Sequence, residues 1–180
     1  MAAAILGGLR ADSAKEDLFR RTLTGISSTD LEHRSQRFAV FHFTRKARPE
    51  IVARLRWHRS QGHRIAIVSA SPECYIVPVG KLLGADAVIA TKLEVDAVGN
   101  LTGSYEGSNC RGEQKQKRLR AWIDESGKPG FVWAYGNSRG DMRMLQGADA
   151  GIDVGKLGKL GRLRKFPKLS DVAVPERTIL

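Results

Sequence analysis

Two short segments that follow apolar runs carry side chains suited to holding a phosphate group and a cation. The first is Ser69-Ala70-Ser71, which directly follows the apolar run 65–68. Such a run is typical of a strand that is covered on both faces of a parallel sheet. A hydroxyl and the free backbone amides at the start of the next helix can together hold a phosphate. Serine also caps many helices, so this segment alone leaves both interpretations open.

The second segment is the loop 136–141, Gly-Asn-Ser-Arg-Gly-Asp, which follows the apolar run 131–135. It places the amide oxygen of Asn137 close to the carboxylate of Asp141. Ligands of open parallel sheets bind beyond the carboxyl ends of the strands, so this loop and Ser69 are predicted to share one sheet edge. Hard oxygen donors suit Mg²⁺, which takes few protein ligands together with water and phosphate oxygen. A turn in which Asp141 caps a helix is the alternative.

Lys115 is predicted to lie in the first turns of a helix, 46 residues after Ser69 and 22 residues before Asn137. Most lysines on a basic helix face are solvated, so Lys115 alone indicates no function. Its place in the chain order is more informative. The sequence carries a strand ending in Ser, then a helix-borne Lys, then a strand ending in Gly-Asn-Ser-x-Gly-Asp.

In this order the three segments resemble the second, third and fourth motifs of the haloacid dehalogenase (HAD) superfamily. The closest resemblance is to its phosphoserine-phosphatase-like branch, subfamily IB. The residues that carry it are Ile67-Val68-Ser69-Ala70-Ser71, Asn109-Cys110-Arg111-Gly112-Glu113-Gln114-Lys115 and the run 135–145, YGNSRGDMRML. The resemblance covers about residues 48–154, and the joint spacing is far more specific than any one motif.

The resemblance implies a Mg²⁺-dependent phosphatase that acts on a small phosphorylated substrate, a phosphate monoester. Ser69 and Ala70 would bind the phosphoryl group, and Lys115 would neutralise the charge of the phosphate and of the nucleophile. Asn137 and Asp141 would hold the metal, directly or through water. The family has Asp in place of Asn137, so we expect weaker metal binding by the neutral amide oxygen. A phosphotransferase that passes the group to an alcohol is not separated from a phosphatase by the sequence.

Arg111 is a rival to Lys115 for the cation of the third motif. We favour Lys115 because it places Leu119 and Trp122 at the apolar positions of the corresponding family helix.

The same resemblance draws attention to a missing motif. HAD phosphatases begin with a strand ending in Asp-x-Asp-x-Thr, whose first Asp attacks phosphorus to give an aspartyl-phosphate and whose second Asp protonates the leaving group. No such motif occurs here, and Asp12 follows no apolar strand. We therefore expect the first core strand to be missing. The expected explanation is an N-terminally shortened chain, with a true remnant as the alternative, and the chain as given is expected to be nearly inactive.

Helices and apolar runs alternate after residue 48, which predicts an α/β fold. By resemblance, this is a Rossmann-like HAD parallel sheet with helices on both faces and a small N-terminal helical cap of the C1 type. The predicted domains are a helical cap segment (1–47), a HAD-like core (48–155) and a basic tail (156–180). A capping box of Thr29 and Glu32 is predicted to start the second cap helix. The predicted strands are 64–69, 87–90, 131–135 and 150–154, with a hairpin of 93–95 and 101–105; the predicted helices include 12–23, 72–83, 113–124 and 141–145.

The composition narrows the class of protein. The 180 residues carry 30 Lys and Arg against 19 Asp and Glu, a net charge of +11, which favours polyanions, anionic lipid surfaces or phosphorylated small molecules as partners. No apolar run is long enough to span a bilayer and the start lacks the basic front of an export signal, so a cytoplasmic protein is expected. Cys74 and Cys110 have no further Cys or His at ligand spacing, which gives a zinc site or a disulfide framework little support.

The basic tail supplies a competing hypothesis. Residues 156–168 combine Lys and Arg with regularly spaced Leu and no acid. This pattern indicates either a solvated end or a segment that contacts an anionic membrane or another polyanion. In the second case the chain would be a non-catalytic HAD-like module that binds nucleic acid or a membrane.

Overall fold

The chain folds into helices and short strands that alternate after two N-terminal helices. The computed structural model describes residues 2–155 and 166–172. Within them the helices are α1 (Ala2–Leu23), α2 (Ser28–Lys46), α3 (Pro49–Ser60), α4 (Glu73–Leu83), α5 (Glu113–Ser126) and α6 (Met142–Gln146). The strands are β1 (Ala66–Pro72), β2 (Ala87–Thr91), β3 (Leu93–Val95), β4 (Leu101–Tyr105), β5 (Trp133–Gly136) and β6 (Ala150–Asp153). None of the described helices is both long enough and apolar enough to cross a membrane.

The parallel sheet is divided into two halves. β1 pairs in parallel with β2, and β5 pairs in parallel with β6. In the described part of the chain no backbone ladder joins the two pairs. They are held together by side chains instead, because Val68 of β1 packs against the buried cluster of Ala134, Met144 and Leu145. The α/β class is confirmed, and the break in the sheet agrees with the expected loss of a core strand.

The antiparallel hairpin of β3 and β4 forms as predicted. It also supports the N-terminal helices, since α1 packs on β4 and α2 packs on α4. The link between α1 and α2 is fixed by backbone hydrogen bonds, in which Gly25 N donates to Leu101 O at 2.9 Å and Ser28 N donates to Gly99 O at 3.0 Å. Residues 1–47 therefore contain helices that lie on α4 and the hairpin.

The start of α2 differs from the predicted capping box. Ser27 is the N-cap, and its side chain accepts a hydrogen bond from Asp30 N at 3.4 Å. Thr29 and Glu32 already lie inside the helix. The prediction was wrong because Ser27, two residues before Thr29, satisfies a free amide of the first turn and the helix begins there.

α4 runs unbroken to Leu83 although it contains Pro78. Its close approach to β2 depends on Gly80, because a Cβ added there would lie 2.3 Å from Val88 Cγ2. The helix ends at Gly84 in the left-handed conformation, φ 66°, and Ala85 N donates to Gly80 O at 2.9 Å. Glycine ends the helix here because it adopts the left-handed backbone conformation at a lower free-energy cost than other residues.

The segment after β6 contacts the core where it is described. Residues 156–165 of the predicted polyanion-binding segment lie outside the described residues. Phe166 packs against the Ala134 cluster, and Lys168 forms a β-bridge with Asp153. For residues 166–168 the expectation of a solvated end was therefore wrong, because the half-buried Phe166 packs on the core. Contact of the basic segment with an anionic membrane or another polyanion stays a prediction.

Candidate active site

A buried ion pair joins the first turn of α5 to the loop that follows β5. Lys115 Nζ donates to Asp141 Oδ1 at 2.5 Å and to the backbone oxygen of Val68 at 3.0 Å. The Lys115 side chain is 10% exposed and that of Asp141 is 6% exposed. The lysine thus contacts Val68 within β1 and Asp141 in the loop after β5 at once, which brings together three regions that are distant in sequence.

Asp141 is held in a tight loop by the residues before it. Its Oδ2 accepts hydrogen bonds from Asn137 N at 3.1 Å, Ser138 N at 3.0 Å and Ser138 Oγ at 2.7 Å. Burial alone would raise the pKa of the Asp141 carboxyl, but the ammonium of Lys115 and the donors of Ser138 and Asn137 outweigh burial and lower that pKa. The carboxylate is therefore ionised at neutral pH.

Ser69 lies beside this ion pair in an irregular part of β1. The pairing of β1 with β2 shifts register between Val68 and Pro72. Ala70 and Ser71 belong to the strand, so the predicted helix start at these residues was wrong. The physical reason is that a residue before proline is disfavoured in the helical region, which keeps Ser71 extended. Ser71 N donates to Ser69 Oγ at 3.1 Å, and this contact orients the hydroxyl.

A buried polar network contacts the irregular part of β1 through the backbone oxygen of Ala70. The Thr91 side chain is fully buried, and its hydroxyl lies 3.0 Å from Ala70 O and 2.8 Å from Asn109 Oδ1. It also accepts a hydrogen bond from Cys110 N at 3.0 Å. Neither Thr91 nor Asn109 was assigned a role from sequence. The available signal was a threonine placed directly after an apolar run at a strand end.

α1 contributes two charged side chains that sequence reasoning missed at this site. Lys15 Nζ donates to Ala70 O at 2.5 Å and to Asn109 Oδ1 at 3.2 Å. Asp12 Oδ1 accepts from Asn109 Nδ2 at 2.8 Å and from Arg111 Nη1 at 3.3 Å. Asp12 and Lys15 are three residues apart, so one helix face presents both. That spacing was visible in the sequence, but the direction in which the face points was not.

The structure separates the two rival cations of the third motif. Arg111 contacts Asp12 and its side chain is 40% exposed. Lys115 is the buried cation that contacts Asp141. Of the predicted site residues, Lys115 and Asp141 contact each other beside the irregular part of β1 that contains Ser69 and Ala70. Asn137 is exposed and contributes its backbone amide.

A magnesium ion needs charged or strongly polar oxygens with free lone pairs. A carboxylate offers about four lone-pair directions, and Asp141 accepts four hydrogen bonds from Lys115, Asn137 and Ser138. No group of three or more His, Cys, Asp or Glu in the described part of the chain is placed to hold a metal. Of the predicted pair, Asn137 alone can still offer an oxygen, and its amide oxygen is neutral. The described residues by themselves therefore do not fit a magnesium ion.

Comparison with known proteins relates this arrangement to a family. The family model for haloacid dehalogenase-like hydrolases matches residues 1–146. The chain is 35% identical over 130 residues to protein CicA of Caulobacter vibrioides, covering 72% of this chain and 58% of CicA. It is 32% identical over 93 residues to a histidinol-phosphatase of Neisseria meningitidis serogroup C, covering 49% and 42% of the two chains. A probable phosphatase of Mycobacterium tuberculosis is 31% identical over 120 residues, covering 63% of this chain and 40% of its own length.

Solved structures show a similar fold. A protein of unknown function from Bordetella pertussis Tohama I has a TM-score of 0.70 at 22% identity, covering 88% of this chain and 73% of its own. A HAD family hydrolase from Salmonella enterica serovar Typhi has a TM-score of 0.53 at 19% identity, covering 61% and 38%. The chain spans 40% to 58% of the length of the curated relatives named above. The family match over residues 1–146 nevertheless covers most of the 180 residues, and the chain belongs to the haloacid dehalogenase-like hydrolase family.

Proposed function

We propose that this chain holds the phosphoryl group of a small phosphate monoester during its hydrolysis by a HAD-type phosphatase. The observation that carries the proposal is the buried contact of Lys115 with both Asp141 and the backbone of Val68. An ammonium has three donors, and these two contacts leave one for a ligand between β1 and the loop that follows β5. Two of the relatives are described as a histidinol-phosphatase and a probable phosphatase.

Each residue of the site has a distinct proposed role. The Ser69 hydroxyl and the Ala70 amide donate to the oxygens of the phosphoryl group. Lys115 offsets the negative charge that the phosphate and an attacking carboxylate bring together. Asp141 keeps the ammonium in place, because its lowered pKa keeps it anionic. Preorganised donors of this kind supply much of the rate in phosphoryl transfer.

The covalent step needs a carboxylate that the described site does not offer. Asp141 accepts four hydrogen bonds, and Asp12 is paired with Asn109 and Arg111. By family resemblance, an aspartate on a strand between β1 and β5 would attack phosphorus, the bond to the ester oxygen would break, and a second aspartate would protonate the departing alcohol. Water would then hydrolyse the aspartyl-phosphate. We infer that this strand belongs to a longer form of the chain, and that the 180 residues alone turn over substrate very slowly.

Magnesium enters this proposal through the resemblance alone. Of the described pair, Asn137 would offer its amide oxygen, since the four hydrogen bonds that Asp141 accepts leave its carboxylate no lone pair for the ion or its water. A charged oxygen from the proposed additional strand would complete the set of ligands.

The test compares the 180-residue chain with an upstream-extended version on p-nitrophenyl phosphate with Mg²⁺. The extended form should turn over, and Asp141→Ala in that form should lower turnover by about a hundredfold or more, as loss of a preorganised electrostatic group does. An extended form that carries Asp-x-Asp and shows no turnover would refute the proposed function. So would an Asp141→Ala variant with unchanged turnover.

A further inference from the structure

The backbone of β1 that carries Ser69 lies outside the regular ladder of the sheet. β1 advances four residues from Val68 to Pro72. Over the same distance β2 advances only two residues, from Ile89 to Thr91. Two residues of β1 therefore have no counterpart in β2, and proline lacks the backbone N–H that a ladder would use. Because backbone groups in such a position need other partners, side chains must hold this stretch in place.

Thr91 is a buried side chain that contacts this stretch. It has 0% exposure, and its hydroxyl lies 3.0 Å from Ala70 O. The same hydroxyl accepts a hydrogen bond from Cys110 N at 3.0 Å and lies 2.8 Å from Asn109 Oδ1. A hydroxyl has one proton and two lone pairs, so it can link the loop before α5 to the irregular part of β1. Thr91 thereby fixes the position of Ala70 O.

The peptide bond between Ala70 and Ser71 connects Thr91 to the phosphoryl site. Its oxygen faces Thr91, and its N–H donates to Ser69 Oγ at 3.1 Å. A peptide bond is planar, so a contact that holds its oxygen also sets the direction of its N–H. Since Ser69 Oγ is the acceptor in this contact, the proton of Ser69 stays available to an oxygen of a phosphoryl group.

Lys15 sets which way this peptide faces. Its Nζ donates to Ala70 O at 2.5 Å and to Asn109 Oδ1 at 3.2 Å. An ammonium only donates, so it disfavours a peptide turned by half a rotation, in which an N–H would replace the oxygen. In the turned peptide the carbonyl would face Ser69 and take its proton. Lys15 is half-buried on α1 whereas Thr91 is fully buried in the sheet, so Thr91 is the more rigid support.

We propose that Thr91 is a positioning residue of the phosphoryl site, which holds the peptide after Ala70 so that Ser69 donates its proton to the substrate. This inference rests on the proposed function, because the direction of the Ser69 hydroxyl matters only where a phosphoryl group binds. Thr91 acts through Ser69 and does not touch the substrate itself. Its hydroxyl is uncharged, so its removal leaves the electrostatic attraction of the site for phosphate unchanged.

The test is a double-mutant cycle between Thr91 and Ser69. The affinity for inorganic phosphate is measured by calorimetry on the whole 180-residue chain. Thr91→Val should weaken phosphate binding about threefold, as for the loss of part of one neutral hydrogen bond. In the Ser69→Ala chain the same substitution should change the affinity by less than about 1.5-fold, because no hydroxyl is left to position. A purely structural role would lower the affinity by the same factor in both chains.

Two further substitutions separate the Thr91 hydroxyl from its surroundings. Thr91→Ser keeps the hydroxyl and should bind phosphate within about 1.5-fold of the unsubstituted chain. The matched control is Thr102→Val in the hairpin, where the Thr102 hydroxyl also accepts from a backbone amide, Ser104 N at 3.2 Å, and donates to Glu94 Oε2 at 2.6 Å. This control should leave phosphate affinity unchanged. If the Thr91→Val chain does not fold, Thr91→Ala removes the hydroxyl without adding a methyl group.

The outcomes separate the two proposals. Unchanged affinity in Thr91→Val, or an equal loss with and without the Ser69 hydroxyl, would overturn the positioning role and leave the proposed function standing. The same holds if Thr91→Ser or Thr102→Val weakens binding as much as Thr91→Val. If the unsubstituted chain does not bind phosphate, the proposed function fails and the positioning role fails with it.

Discussion

The ammonium of Lys115 lies 2.5 Å from the carboxylate of Asp141, and the same ammonium bonds to the backbone of β1. This contact bridges the two halves of a parallel sheet that share no backbone ladder in the described residues. The ion pair therefore has two consequences: it holds the site together, and it places a positive charge where a phosphate would bind.

The first prediction concerns the stability that this pair contributes. Lys115→Met should lower the free energy of unfolding by about 3 kcal/mol, because the Asp141 carboxylate would remain buried without its cation. Urea unfolding followed by circular dichroism measures the change.

The matched control removes a lysine from an exposed ion pair. Lys92 lies 3.8 Å from Glu106, and both side chains are more than half exposed. Lys92→Met should cost less than about 1 kcal/mol. Equal costs for the two substitutions would show that the buried pair contributes no more than a surface pair.

The second prediction concerns pH. His58 is 7% exposed, and its ring bonds to Tyr135 Oη at 2.6 Å and to His63 Nδ1 at 2.9 Å. Burial, followed by the neighbouring His63 and Arg54, lowers the pKa of His58 from 6.5 to about 4. The unfolded chain binds this proton at a higher pH than the folded chain. The free energy of unfolding should therefore fall as pH drops from about 6.5 to about 4, by on the order of 3 kcal/mol at most.

Urea unfolding at pH 7 and pH 5 tests this dependence. His58→Gln should flatten it, whereas His33→Gln, at an exposed position of α2, should keep it. If the dependence is the same in all three proteins, burial of His58 is not its cause.

The third prediction tests how α4 lies on β2. Gly80→Ala would place a Cβ 2.3 Å from Val88 Cγ2, and this overpacking should lower the free energy of unfolding by about 1–3 kcal/mol. Gly130 has no atom within 4 Å of an added Cβ, so Gly130→Ala is the control and should change stability by less than about 1 kcal/mol. Thermal unfolding of both variants provides the comparison, and a Gly80→Ala protein as stable as the control would contradict the described packing.

Much of the framework follows from local sequence signals. Apolar runs bounded by glycine and proline predict β1, β2, β5 and β6, because such strands are buried on both faces. The shared position of Ser69 and the loop 136–141 follows from the rule that ligand-binding residues gather at the carboxyl ends of parallel strands, whereas the approach of Lys115 to Asp141 was implied by the family resemblance. Each of these patterns involves only a few neighbouring residues, so it can be recognised in a single sequence.

The parts that sequence reasoning missed depend on tertiary contacts. Asp12 and Lys15 reach the site because α1 packs on β4, and no local pattern specifies how that helix is rotated. Phe166 follows a run of basic residues, so its contact with the core was hidden by the charge around it. The continuation of β1 to Pro72 was, in contrast, predictable from the restriction that proline places on the preceding residue.

The most direct measurement is the binding of inorganic phosphate to the 180-residue chain, followed by calorimetry or ³¹P NMR. Phosphate should bind, Lys115→Met should weaken binding by about tenfold or more, and Arg111→Met should weaken it by less than about threefold, since a charge-assisted hydrogen bond is lost only in the first case. Ser69→Ala, which leaves the ion pair intact, should also weaken binding severalfold. Absence of phosphate binding, or equal losses in Lys115→Met and Arg111→Met, would contradict the assignment of Ser69 and Lys115 to a phosphoryl group.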